Sequence, residues 1–184
     1  MDLTDRGRAL ENAFFQDLNQ QLVDKMKAEE ARSQTMAELS SATGITDDAT
    51  LARLADAGLS VSTLAALVCV PLIQVAYADG SLESKERDAV MRAAEAAGIA
   101  AESPAAALLD SWLAKGPSET LFNGWTAYLQ GIKHHMTDAA WIAMRDRVMG
   151  NCHKVAQASG GFMGMGSESG SEKSVIAKVE QAFA

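Results

Sequence analysis

Residues 70–99 read VPLIQVAYADGSLESKERDAVMRAAEAAGI, and how that run parses decides the fold. Its first part is apolar and uncharged as far as Asp79, where an Asp-Gly pair marks a turn. Acidic residues follow, and then a helical pattern over 84–97 sets Val90, Met91 and Ala94 on one face and stops at Gly98. The unit is therefore helix, glycine turn, acidic N-terminus, helix.

Followed towards the N-terminus, the apolar part extends to residue 59, as LSVSTLAALVCVPLIQVAYA over 59–78, twenty residues without a charge. That length suffices to cross a bilayer. Pro71, Gln74 and the hydroxyl residues lower its hydrophobicity, however, and Asp56 and Asp79 flank it where Lys or Arg would mark a span. It reads instead as a buried central helix over 60–78, with Pro71 setting a kink or local irregularity because it lacks a backbone donor.

The rest of the chain supports an all-α reading. Thirty-four alanines and three prolines in 184 residues favour helix, since Ala loses no side-chain entropy there. Leu10, Phe14, Leu18, Leu22 and Met26 recur every four residues, which predicts an amphipathic helix over 4–33. Residues 35–43 and 47–57 read as two short helices, with Gly44 and Gly58 as left-handed caps and Thr46 capping the second start. Further helices are expected over 104–115, opened by Pro104, and from Ser118 to about His134 on Leu121, Phe122, Trp125, Leu129 and Ile132. Another is expected over 138–158 on Trp141, Met144, Val148, Cys152 and Val155. A glycine-rich stretch, SGGFMGMGSESG over 159–170, joins the last of these to a final helix over 170–183. The expectation is a single helical domain of eight or nine helices over 35–184, with an N-terminal amphipathic arm over 1–34 that docks on its own core or meets a protein partner or a second copy of the chain.

Hydrophobic residues at 48% and charged residues at 22% fit a globular chain. The net charge of −8 and the absence of a basic stripe argue against nucleic-acid binding, which needs clustered Lys and Arg. Cys69 and Cys152 sit in apolar helical runs, as buried small hydrophobes and not as a disulfide framework, and the N-terminus lacks the pattern of a signal peptide, so a cytoplasmic setting is expected.

Val75-Ala76-Tyr77-Ala78-Asp79-Gly80 with Glu86 is echoed by Val155-Ala156-Gln157-Ala158-Ser159-Gly160 with Glu172, the second copy being longer by six residues. The two form a candidate pseudo-repeat of helical hairpins. The run over 70–99 resembles the core motif of TerB-like proteins, the tellurite-resistance-associated family. LLDSWL, FNGWTAYL and VAQASGGFMGMGSESGSEKSVIAKVEQAF resemble one bacterial branch of it, so the likeness covers about residues 59–184. It implies an all-helical fold, a divalent-cation site at acidic positions, and association with stress and tellurite-resistance systems; it does not imply an established enzymatic activity, and the chain is expected to be non-enzymatic. Asp79 and Glu86 match the family's acidic positions and Glu83 adds a third carboxylate nearby, whereas Ser159 replaces the second-copy Asp and leaves only Glu172 matched.

Two chemistries compete at the first turn. Carboxylates are hard oxygen ligands for Ca²⁺ or Mg²⁺, and Glu86 follows Gly80 by six residues, as in the second half of an EF-hand; Val75 and Tyr77 stand where its earlier acidic ligands belong. Without a metal, Asp79 satisfies turn amides and Glu86 favours the positive end of its helix. Ser169 and Glu172 have the spacing of a capping box. His134 and His135 end a helix, Cys152 and His153 lack zinc-type partners, and no catalytic or phosphate-loop motif occurs. Phe162, Met163 and Met165 read as filling a hydrophobic gap.

Overall fold

The computed structural model describes the backbone of residues 3–158 and 168–184, and side chains from residue 17 onward within that range. The described residues form eight α-helices and one 3-10 stretch, with no strand. They run α1 (Leu3–Thr43), α2 (Asp48–Asp56), the 3-10 stretch Val61–Cys69, α3 (Val70–Ala76), α4 (Ser84–Ala96), α5 (Pro104–Lys115), α6 (Glu119–Lys133), α7 (Asp138–Ala158) and α8 (Gly170–Gln181).

Local chemistry sets most of these boundaries. Gly44 and Gly58 adopt φ of +76° and +79° and close the helices before them, as their positions in the sequence predict. The Ser103 and Ser118 hydroxyls accept from the amides of Ala106 and Leu121 and open α5 and α6. At the start of α2 the cap is Asp47, which accepts from the Thr50 amide, and not Thr46.

Two further expectations are corrected. The break between 33 and 35 does not occur, because α1 runs unbroken to Thr43; nothing in SQTMAEL forbids helix, and Met36 and Leu39 pack its last turns onto the core. The uniform helix over 60–78 is divided, a 3-10 stretch passing into α3 with Pro71 in the first turn of the latter. Proline is tolerated in a first helical turn, and Pro71 marks a change of winding.

The 3-10 stretch and α3 form the buried spine. Ala66, Leu67, Cys69, Val70, Leu72, Ile73, Val75 and Ala76 are buried there, as the absence of charge requires. No single helix among the described residues is long and apolar enough to cross a membrane; the apolar spine reaches that length only together with α2, from which it is bent by 82°. Helix α5 packs along the 3-10 stretch, α2 against α6, and α3 touches α4, α7 and α8, while α7 also touches α4 and α8. The two candidate hairpins thus form one four-helix body with α3 and α7 in contact. Phe183 closes its far end, its ring 5.8 Å from that of Trp125 and 5.3 Å from that of Trp141.

Helix α1 behaves differently. Bidentate Arg32–Asp56 bonds of 2.8 and 3.1 Å and buried Leu39 anchor its C-terminal part. Every residue from 17 to 31 is exposed, including Leu18 at 41%, Leu22 at 52% and Met26 at 69%. That part of the predicted stripe does not dock on its own core; the side chains of Leu10 and Phe14 lie outside the described residues.

Candidate functional site

The turn between α3 and α4 is built from the hydrogen bonds of its own residues. Tyr77, the last residue before it, sends its hydroxyl 2.6 Å to the Leu113 carbonyl and is a strut. Exposed Asp79 accepts from the Ser81 amide at 3.0 Å and the Ser81 hydroxyl at 3.1 Å, and Gly80 carries the positive φ of +94° that reverses the chain. Exposed Glu83 is the N-cap of α4, and its amide donates to Glu86 Oε2 at 2.8 Å.

Glu86 is the unusual member. It is 4% exposed, and burial pushes its carboxyl above the ordinary glutamate range. The Glu83 amide opposes that rise, whereas the charges of Asp79, Glu83 and Glu172 add to it. These three charges are all those of carboxylates.

The second hairpin repeats this construction. The Ser169 hydroxyl accepts from the Glu172 amide at 3.2 Å, and Glu172 Oε2 accepts from the Ser169 amide. Glu172 is 6% exposed. The two glutamates that the pseudo-repeat equates are thus both the third helical residue of a capping box, both buried, and within electrostatic reach of one another. Sequence spacing identified Glu172 as a cap; its approach to Glu86 follows from packing α3 against α7 and α8. Residues 159–167, with Ser159 and the gap-filling Phe162, Met163 and Met165, lie outside the described residues.

The donor set is all hard oxygen and suits Ca²⁺ or Mg²⁺. It is not a preformed cage: among the described residues no group of three or more His, Cys, Asp or Glu side chains is placed to hold a metal ion. Asp79, Glu83 and Glu86 share one field without converging as a ligand triad, and the known hydrogen bonds serve turn and cap geometry.

The other candidates resolve into structural roles. Cys69 and Cys152 are free and buried, their thiols pushed up to about 12, which keeps them protonated and unreactive. His153 Nδ1 pairs with Glu168 across the end of α7. His134 caps α6, and His135 lies over Gly44.

No family model matches the chain, and neither a curated protein nor a solved structure matches it significantly.

Proposed function

We propose that the chain is a non-enzymatic, TerB-like helical protein whose acidic helix-to-helix turn takes up a divalent cation, Ca²⁺ or Mg²⁺, around Glu86 with Asp79 and Glu83. One observation carries this reading: a buried carboxylate in the field of three other carboxylates, its pKa raised mainly by burial, at the junction of two similar hairpins. A cation there would offset the repulsion and hold Glu86 ionised, with water filling the shell that three carboxylates leave open. Titration calorimetry with Ca²⁺ and Mg²⁺, beside thermal melts, tests it. Wild type is expected to give saturable heat and, at a hundred-fold excess over Kd, a rise in Tm of roughly 5–10 °C. Asp79→Ala weakens both signals and Glu86→Gln removes them; wild type silent in both measurements rejects the proposal. The link to stress and tellurite resistance rests on the sequence resemblance, and survival of cells lacking the protein on tellurite tests it separately.

A second reading is favoured by α1. Fifteen consecutive exposed residues, 17–31, carry Leu18, Leu22, Val23 and Met26 into solvent. An isolated helix of that length is marginal in water, so this face suits an interaction module that engages a protein partner or a second copy. The readings separate cleanly, because one depends on Glu86 and the other on the arm.

A further inference from the structure

A cleft of about 720 Å³ opens between the 3-10 stretch, α4, α6 and α7, within the roughly 300–1,000 Å³ typical of small-molecule sites. Leu64, Leu67, Leu72, Ile132, Met144 and Val148 give it apolar walls. Val68, Ala97, Ala140 and Ala143 also line it and are exposed, which puts them on its open side. The chain has 24 acidic and 16 basic residues, yet none of the nineteen residues lining this cleft is Asp or Glu. Exposed Arg147 is its one fixed charge, with exposed His135, Asn151 one turn further along α7 and the Tyr128 hydroxyl from α6 among its other polar groups. Arg147 makes no ion pair or hydrogen bond among the described residues, although acids outnumber bases in the chain.

We propose that this cleft binds a single-chain amphiphile with an anionic head, of the fatty-acid class. The apolar walls take the aliphatic tail, and Arg147 takes the carboxylate, with Asn151 and Tyr128 as further hydrogen-bond donors. Arg147 is exposed, so it meets a head group at the edge of the cleft while the tail lies inward, and a multiply charged phosphate would find one guanidinium and a greasy wall. The buried Cys69 thiol in the same wall is protonated, so binding is non-covalent. This site is separate from the acidic turn and stands whether or not that turn binds a cation.

The test is calorimetric titration of the full chain with laurate below its micellar concentration, beside dodecanol as a tail-matched neutral ligand and phosphatidylglycerol vesicles. Saturable one-to-one uptake of laurate is expected, with dodecanol weaker by roughly ten-fold or more, the usual loss of a charge-assisted bond. Arg147→Glu weakens laurate by at least about ten-fold. Ala143→Trp, which plugs the mouth from an exposed position, abolishes uptake, and Val68→Trp serves as an independent plug. Helical content and unfolding midpoint, compared with wild type, show that each variant is folded. The proposal is overturned by no saturable laurate binding, by laurate binding indifferent to Arg147→Glu and to both plugs, or by dodecanol binding equally well. Attachment to vesicles, or capture of an acidic amphipathic peptide, in the absence of laurate uptake also overturns it.

Discussion

Glu86 closes a capping box with one oxygen while sitting in a field of other carboxylates, and the two roles oppose one another. Because its folded pKa lies above the unfolded value, Glu86 contributes stability that is fully present below the ordinary glutamate pKa and is lost as pH rises through the folded one. Glu86→Gln keeps an acceptor for the Glu83 amide but cannot ionise. Without divalent cations, the variant is therefore expected to gain on wild type in urea unfolding as pH rises from the ordinary glutamate range through the raised folded pKa. A constant difference across that range would show that the carboxyl is not held above its usual range. Gly131 presents another single-residue constraint. A Cβ there would lie 2.8 Å from Ile45 Cδ1 and 2.9 Å from Cγ1, and Ile45 is only 3% exposed, so it has little room to yield. Overpacking at about 1–3 kcal/mol outweighs the helix gain of about 1 kcal/mol from Gly→Ala. Gly131→Ala should lose on the order of 1 kcal/mol, and Ile45→Val, lacking Cδ1, should relieve part of that loss in a double-mutant cycle.

At the level of elements, caps and glycines were legible because they act through neighbours in sequence. Gly44, Gly58, Pro104, Ser118 and the Ser169–Glu172 box stand where the reading places them. The continuity of α1 was not legible: the reading ends a helix near 33 and starts another at 35, whereas one helix runs through, and only Asp56 and the core beneath it show that its later turns are packed. The winding change before Pro71 escaped likewise, since an uncharged run has no polar face by which to detect its period. The C-terminal segment owes its order to α6 and α7. Gln130, Lys133 and Trp141 donate to the carbonyls of Ala182, Ala184 and Phe183. Phe183→Ala should lose about 3–5 kcal/mol, as for a core aromatic, despite its place next to the last residue. A change below about 1 kcal/mol in urea unfolding would mean that the ring is not packed as described.

For the whole molecule, a compact body and an extended arm are expected to respond independently. Helix α1, at 41 residues and about 60 Å, carries the arm and is joined to the body through Arg32, Met36 and Leu39. Leu22→Glu lies among exposed residues and should leave the unfolding midpoint of the body unchanged while abolishing any self-association or partner binding that uses the stripe. Sedimentation of wild type and variant across a concentration series checks this, and identical sedimentation together with identical partner binding discards the arm as an interface.

The sequence by itself determined the helices, most of their ends, the two similar hairpins and the identities of the acidic residues, because periodicity, caps and glycine turns are local. Tertiary structure decided that Glu86 and Glu172 are buried within reach of one another, that Asp79 and Glu83 remain exposed, and that an acid-free cleft forms beside Arg147. Those properties belong to distances between residues far apart in the chain. Helical spacing shows which side chains share a face, but packing alone shows what that face meets.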